Sequence, residues 1–200
     1  MTERPDLTAG PGAKMHFWDA YWDLRTGECP CDVHFVAWLK DRGIRDASIF
    51  HFGTGGHHHV GIETARDGSN NAVLGITAAP QEYDSYVKLA IETPEVARTY
   101  KVFFGDIYQL DPRLLPSFDI ATLFHLGEFR TEKNDAYGGL TDLEVATIMF
   151  DQLKPGGRIL TYTGSYAFDV AERDMAALQK IRPIALEESY EKLLVFRRTD

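Results

Sequence analysis

Short apolar runs alternate with amphipathic stretches along most of the chain. Five of the runs are rich in β-favouring residues and are bounded by glycine, proline or aspartate, which predicts buried strands at 48–52, 72–77, 100–104, 118–124 and 158–163. Apolar residues recur with the 3.6-residue period of a helix at 80–91, 141–153 and 168–181. Such alternation predicts an α/β fold, with a mainly parallel sheet and helices on both of its faces.

The end of the chain departs from this alternation. Two further strand-like runs, at 183–186 and 192–196, are separated by only five residues. A connection this short cannot hold a helical crossover, so the two strands must be antiparallel. The predicted sheet therefore has seven strands, parallel except for this closing pair. Its exposed apolar terminal strand could pair with a second copy, which leaves a homo-oligomer open.

Two amphipathic stretches precede the first strand, and both predict helices. The first, 15–24, is rich in aromatic residues, and the second, 32–41, has Asp32 as its N-cap and ends near Gly43. Residues 1–14 contain two prolines and two glycines and lack the apolar core of a secretion signal, which predicts a mobile tail. The remainder, 15–200, fits one domain, in which the helices of 15–43 are a candidate lid.

Composition narrows the choice of partner and compartment. The chain has 200 residues, of which 44% are hydrophobic, and a net charge of -9. So acidic a surface repels nucleic-acid phosphates, and a small molecule is therefore the expected partner, with no nucleic acid. No apolar run approaches the roughly 20 residues of a membrane helix, so no membrane partner is expected either. The expected location is the cytoplasm.

The two cysteines stand one residue apart near the start of the second predicted helix. Cys29, Cys31 and His34 form a C-x-C-x-x-H pattern, which offers three soft metal ligands. Structural zinc usually takes four ligands, and the chain has no second cysteine pair. The pattern therefore favours two free thiols, and we expect no metal.

Loops at the carboxyl ends of parallel strands are where ligands bind in an open α/β sheet. The first of them, 53–56, reads Gly-Thr-Gly-Gly, which lets the backbone turn tightly and approach a ligand closely. It leads into a helix N-terminus, whose free N–H groups and dipole suit a carboxylate or a phosphate. A glycine-rich strand end is weak support by itself, because many such loops are plain turns.

Four segments together resemble the class I methyltransferases that use S-adenosylmethionine. Residues 49–56 look like the family's glycine-rich first motif, and 103–106 look like its third strand with an acidic adenine contact. Residues 118–125 look like the fourth strand, which faces the methyl group, and 153–160 are similar to the turn into strand five. The aromatic segment 16–23 looks like the N-terminal helix that lies over the cofactor in small-molecule members.

This resemblance implies a Rossmann-like fold, S-adenosylmethionine as the cofactor, and methyl transfer to an oxygen, nitrogen or sulfur atom of a small molecule. The implied cofactor contacts are Gly53, Thr54, Gly55, Gly56, His57, Thr77, Gly105, Asp106, Ile107, Phe124, Trp18 and Trp22.

The sequence departs from the family pattern at three positions. His51 replaces an acidic residue two before the first glycine, and His57 stands where the family's next glycine is expected. The second strand ends at Thr77, where the family has a carboxylate that binds the ribose hydroxyls. A single neutral contact is weaker than a bidentate carboxylate, so we expect low cofactor affinity.

His125 and Glu128 follow the fourth strand, where the resemblance places the methyl group. A histidine with an ordinary pKa of about 6.5 suits a general base, and Glu128 could orient it or bind a substrate amine. We therefore predict both as catalytic residues. Methyl transfer needs mainly proximity and alignment, so the activity does not depend on a base.

The histidine run at 57–59 leaves three interpretations open. His57 contacts the methionine carboxylate of the cofactor; or His57, His59 and Glu63 bind a metal; or one histidine lies near the ligand while the others are packed or solvated. Consecutive side chains on a helix point in different directions, so all three cannot easily converge. Two functional alternatives stay open: a non-catalytic cofactor-binding or sensing protein of the same fold, which has lost the ribose-binding carboxylate, and a metal-dependent enzyme that uses the histidine run.

Overall fold

A computed structural model describes residues 15–200, so the tail predicted for 1–14 lies outside the described residues. The strands are β1 (Ser48–Phe52), β2 (Ala72–Thr77), β3 (Tyr100–Phe104), β4 (Phe118–Thr122), β5 (Leu153–Tyr162), β6 (Ile184–Tyr190) and β7 (Leu193–Arg198). The α-helices are α1 (Cys31–Asp41), α2 (His59–Arg66), α3 (Pro80–Glu92), α4 (Pro94–Thr99), α5 (Glu132–Asp135), α6 (Asp142–Asp151) and α7 (Phe168–Ile181). Short 3₁₀ helices cover Ile107–Gln109 and Pro112–Leu114.

The seven strands form one sheet in the order β3-β2-β1-β4-β5-β7-β6. The five strands from β3 to β5 are parallel, whereas β7 is antiparallel to both β5 and β6. The predicted α/β sheet with its closing antiparallel pair is therefore confirmed. The strand order reverses between β1 and β4, and in such sheets the reversal leaves a crevice at the carboxyl edge.

The sheet separates two apolar cores. Ile49 and Phe50, neighbours on β1, are both fully buried and point to opposite faces, as successive strand residues must. Phe50 packs in the core shared with α6 and α7. Ile49 packs in the core shared with α1, α2, α3 and α4. Helices cover both faces, as the sequence predicts.

The segment before α1 differs from the prediction. Residues 15–24 contain no helix, and the chain instead runs over the carboxyl edge of the sheet, where the Trp18 N–H donates to the Ala78 carbonyl at 3.0 Å. The second predicted helix is present as α1, but Asp32 is not its cap. Pro30 holds the cap position, and Asp32 lies buried inside the first turn.

The predicted boundaries are also wrong at the two antiparallel strands and at β5. Strand β5 begins at Leu153, because the glycine-rich turn at 154–157 is a bulge within the strand, where the register against β4 shifts. Strand β6 continues to Tyr190, and the chain turns at Glu191 with a positive φ of 52°. Among the helices of residues 15–200, none has the length and apolar composition needed to cross a bilayer.

Candidate functional site

One cavity of about 520 Å³ opens at the carboxyl edge of the parallel strands. The turns after β1 and β3 flank the end of β2 there: Gly53 N–H donates to the Ile76 carbonyl at 3.2 Å, and Gly105 N–H donates to the Thr77 carbonyl at 3.0 Å. A volume of this size lies within the range of small-molecule and cofactor sites. The sheet therefore brings the two sequence-predicted turns to one site.

Most of the sequence-predicted site residues line this cavity. They are Trp18, Trp22, Gly53, Gly55, His57, Thr77, Gly105, Asp106, Ile107, His125 and Glu128.

Three predicted cofactor contacts do not line it. Thr54 is buried beneath the turn, where its methyl group packs against Gly75. Gly56 is covered by the ring of Tyr21. Phe124 points into the core behind the cavity and is 1% exposed. These three residues therefore offer no surface to a ligand in the cavity.

Glycine is required at position 53 for two reasons. Its φ of +85° is strained for any residue with a side chain, and an added Cβ would stand 2.9 Å from the His125 ring. The missing side chain therefore makes room for His125 at the edge of the cavity. Gly55 also has a positive φ, of +54°.

The aromatic segment before α1 is held over the glycine-rich turn by hydrogen bonds. The Gly56 N–H donates to the Trp22 carbonyl at 2.9 Å, and the Tyr21 hydroxyl donates to the Gly56 carbonyl at 3.0 Å. Trp18 packs edge to face on Phe129, with the ring centroids 5.2 Å apart. This segment therefore forms one wall of the cavity without being helical.

A carboxylate lies at the end of β2, although the strand itself ends in threonine. The Thr77 hydroxyl donates to Glu82 Oε2 at 2.7 Å, and the Trp22 N–H donates to Oε1 at 3.3 Å. Glu82 comes from the first turn of α3, is 8% exposed and lines the cavity. Burial raises the pKa of its carboxyl group above the ordinary value and outweighs the hydrogen bonds from Thr77 and Trp22, which lower it.

Asp106 organises the turn after β3. Its Oδ1 accepts the Tyr108 N–H at 2.9 Å, and its Oδ2 accepts the Asn134 side-chain amide at 2.9 Å and the Tyr137 hydroxyl. The carboxylate thus ties the 3₁₀ helix after β3 to the loop around α5. It is buried and lines the cavity beside Ile107.

The three consecutive histidines have different surroundings. His57 lines the cavity, with its Nε2 3.9 Å from Asp32 Oδ2. His58 is buried and hydrogen-bonds Tyr100 at 2.9 Å and Ser85 at 2.7 Å, so it joins α2 to β3 and α3.

His59 begins α2 and does not join a metal-binding set. Glu63, the third ligand of the proposed histidine metal site, pairs with Lys40 at 3.5 Å. The structure therefore does not assemble His57, His59 and Glu63 into one site.

Asp32 faces the imidazole that replaces the family's acidic residue. Its Oδ1 lies 3.6 Å from His51 Nε2, while His51 Nδ1 hydrogen-bonds Thr122 Oγ1 at 2.8 Å. Burial alone would raise the pKa of Asp32, but His51 and His57 outweigh it, and the pKa lies below its ordinary value. Asp32 of α1 thus supplies a carboxylate next to His51, the position on β1 where the family pattern has an acidic residue.

His125 and Glu128 form a pair at the other end of the cavity. His125 Nδ1 lies 3.1 Å from Glu128 Oε2, and Glu128 Oε1 accepts the Ser165 hydroxyl at 2.5 Å. Burial would lower the pKa of His125, but the Glu128 carboxylate outweighs it and raises that pKa above its ordinary value. Glu128 also fixes the ring so that Nε2 is the free nitrogen.

The two cysteines lie beside that free nitrogen. Their Sγ atoms are 3.4 Å apart, and Cys31 Sγ is 3.9 Å from His125 Nε2. Neither cysteine forms a disulfide, and Cys31 is the first residue of α1. His34, the third residue of the C-x-C-x-x-H pattern, is not part of this group; His125 is the histidine beside the two cysteines.

Glu82 is not among the site residues predicted from the sequence, and Asp32 is predicted only as a helix cap. An acidic residue in the first turn of a helix is usually a cap or a dipole partner, so neither residue signals a site by itself. Glu82 follows Thr77 by five residues, and only the bend between β2 and α3 returns its carboxylate to the strand end. An acidic residue five positions after a strand end is the one feature of the sequence that indicates this contact.

Comparison with solved structures identifies the fold. The precorrin-6y C5,15-methyltransferase from Geobacter metallireducens GS-15 superposes with a TM-score of 0.61 at 14% identity, over 90% of this chain and 94% of that one. A methyltransferase from Pyrococcus furiosus gives a TM-score of 0.60 at 12% identity, over 94% and 90%. The N-methyltransferase NodS from Bradyrhizobium japonicum WM9 gives 0.57 at 14% identity, over 84% and 87%.

No protein-family model matches the chain, and no curated protein matches it in sequence. The chain has the Rossmann-like fold of the class I S-adenosylmethionine-dependent methyltransferases. At these identities the likeness establishes the fold, and the assignment of function depends on the site.

Proposed function

We propose that the protein is an S-adenosylmethionine-dependent methyltransferase that acts on a small-molecule acceptor. The observation that carries this proposal is one cavity at the carboxyl ends of β1 to β4, lined by the turns that follow β1 and β3. The fold is that of methyltransferases, and the NodS structure was solved with S-adenosylhomocysteine.

Glu82 fits the role of the ribose-binding carboxylate. A carboxylate has about four acceptor sites, and the chain fills two of those of Glu82 with Thr77 and Trp22. The remaining sites suit the hydroxyl donors of a ribose. A carboxylate from α3 thus replaces the one that β2 lacks, and the expectation of low cofactor affinity loses its basis.

Other predicted cofactor contacts line the same cavity. The turn at Gly53 and Gly55, with His57, is suited to the carboxylate of the amino-acid end, and the turn at 105–107 is suited to the adenine. When bound, the cofactor supplies an electrophilic methyl group. His125 and Glu128 lie at the end where we place the acceptor.

A small acceptor fits the walls around His125 and Glu128. Phe129 lines the cavity there, Tyr166 stands 89% exposed at its rim, and Trp18 packs against Phe129 from the N-terminal segment. Aromatic walls favour a flat or partly apolar molecule. The net charge of -9 argues against a nucleic-acid acceptor.

Titration calorimetry with S-adenosylhomocysteine tests the cofactor assignment through Glu82→Gln. Loss of a charge-assisted contact of about 1.5–3 kcal/mol should weaken binding by about tenfold to a hundredfold. Glu92→Gln is the matched control, because Glu92 is an exposed residue on the same helix whose partner is Lys88. Equal affinities for the two variants would contradict the assignment, and binding without methyl transfer to any acceptor would favour a sensing protein.

A further inference from the structure

Three metal-ligand side chains converge on the acceptor end of the cavity. Cys29 and Cys31 come from the start of α1, and His125 comes from the loop after β4, 94 residues further along the chain. Their Sγ and Nε2 atoms all lie within 4.8 Å of one another. Within residues 15–200 this is the one group of three or more histidine, cysteine or acidic side chains that could hold a metal ion.

Two of the three separations are close to those around a single ion. A tetrahedral zinc ion, with Zn–S near about 2.3 Å and Zn–N near about 2.0–2.1 Å, holds its ligand atoms about 3.5–3.8 Å apart. The sulfur atoms are 3.4 Å apart, and the Cys31 sulfur is 3.9 Å from the imidazole nitrogen. The Cys29 sulfur lies within 4.8 Å of the same nitrogen, so a shift of up to about 1.2 Å in that third separation completes the tetrahedral geometry.

The histidine is oriented as a metal ligand. Glu128 occupies Nδ1 at 3.1 Å and leaves Nε2 facing the cysteines. A metal-bound histidine almost always donates its other ring nitrogen to such a carboxylate or carbonyl. Ser165 in turn holds the other oxygen of Glu128.

We propose that Cys29, Cys31 and His125 bind one zinc ion and leave its fourth coordination position open to the cavity. All three side chains line the cavity, which is how catalytic zinc sites differ from closed structural ones. On binding, the ion gains bonds from two thiolates and one imidazole, and the two thiol protons pass to the solvent.

The open position suggests the class of acceptor, and this part of the inference rests on the proposed function. Zinc accepts sulfur ligands readily, so a small thiol is the acceptor that fits best. The acceptor thiol would lose its proton to water on coordination. Its sulfur would then form the bond to the methyl carbon, while the electron pair of the broken carbon–sulfur bond stays on the cofactor's sulfur.

The test uses the full chain, reduced with a phosphine, freed of metal with a chelator and titrated with cobalt(II) chloride. We expect one cobalt per chain, thiolate-to-cobalt charge-transfer absorption, the visible bands of a tetrahedral ion, and their loss when zinc chloride is added. Cys29→Ser, Cys31→Ser and His125→Gln should each weaken binding at least about 100-fold, and Glu128→Gln about 10–100-fold, as loss of an outer partner does.

His34→Gln is the matched control, because the sequence pattern names His34 as a ligand whereas the structure does not. It should bind cobalt like the wild type. Circular dichroism and thermal unfolding check that each variant is folded, and if Cys31→Ser is not, the half-buried Cys29 still gives the result. Absence of one-to-one binding, or loss of binding with His34→Gln but not with His125→Gln, would overturn the site.

Two further readouts separate the parts of the proposal. Adding 2-mercaptoethanol to the cobalt form should change the visible bands; unchanged bands would overturn the thiol acceptor. Calorimetry with S-adenosylhomocysteine on metal-free protein tests the cofactor site alone. Cofactor binding without metal binding would overturn the zinc site and leave the proposed function intact.

Discussion

His58 is a buried imidazole and His125 a half-buried one at the carboxyl edge of the same sheet, and their hydrogen-bond partners shift their pKa values in opposite directions. His58 has two neutral hydroxyl partners, from Tyr100 and Ser85, and burial lowers its pKa to about 4. His125 faces the Glu128 carboxylate, and its pKa is raised despite burial. The conspicuous histidine run therefore contains a packing residue at its centre, whereas the isolated histidine after β4 faces the cavity.

The largest expected effect is on turnover. His125→Ala should leave cofactor affinity nearly intact and slow methyl transfer roughly 10²–10⁴-fold, the contribution of a group that activates the acceptor. His58→Asn should retain the rate, because His58 does not line the cavity. Single-turnover transfer from labelled cofactor, with an acceptor found by screening small thiols, amines and phenols, measures both variants. Equal rates for the two variants would contradict the assignment of acceptor activation to His125 and of packing to His58.

The second effect is on stability at acidic pH and belongs to His58. The unfolded chain protonates this imidazole near its ordinary pKa of about 6.5, whereas the folded chain does so at about 4. Between these values only the unfolded state binds the proton, so the free energy of unfolding falls as the pH decreases. At about 1.4 kcal/mol per unit, the loss is about 3 kcal/mol between pH 6.5 and pH 4.

Urea unfolding at a series of pH values measures this loss. His58→Asn should unfold with a shallower pH dependence, since asparagine tolerates the positive φ of 49° and does not titrate. Ser85→Ala is the control: it removes one hydrogen bond to the ring, so it should lower stability and keep the wild-type pH dependence. Identical slopes for the wild type and His58→Asn would show that another group carries the transition.

The smallest expected effect is on cofactor affinity and concerns Thr77, whose hydroxyl is a hydrogen-bond partner of the Glu82 carboxylate. Thr77→Asp restores the residue type of the family pattern, yet we expect it to weaken S-adenosylhomocysteine binding. It removes the hydroxyl that donates to Glu82 at 2.7 Å and places a second negative charge beside it. One lost hydrogen bond, about 0.5–1.5 kcal/mol, corresponds to roughly twofold to tenfold in affinity by calorimetry. Tighter binding would mean that Glu82 does not serve the ribose.

The fold could be predicted because it depends on local patterns. Apolar runs and 3.6-residue stripes mark every strand and the long helices, and a five-residue connection fixes the antiparallel pair. The turn at Gly53 and the pair His125 and Glu128 could be predicted for a related reason. They lie in the loops that follow β1 and β4, and the carboxyl ends of parallel strands lie at one edge of the sheet.

The remaining site residues depend on contacts between distant segments. Asp32 reaches His51 from α1, and Cys31, with Cys29 beside it, meets His125 across 94 residues. The aromatic segment 15–24 has an amphipathic pattern, but its backbone binds the edge of the sheet and forms no helix. The spacing of neighbouring residues in the sequence does not indicate contacts between such distant segments.

A crystal structure of the protein grown with saturating S-adenosylhomocysteine tests the proposed function most directly. We expect the ligand to fill the carboxyl-edge cavity, with its ribose hydroxyls bonded to Glu82 and its sulfur facing His125. A ligand bound on another surface, or an empty cavity at saturating concentration, would contradict the assignment.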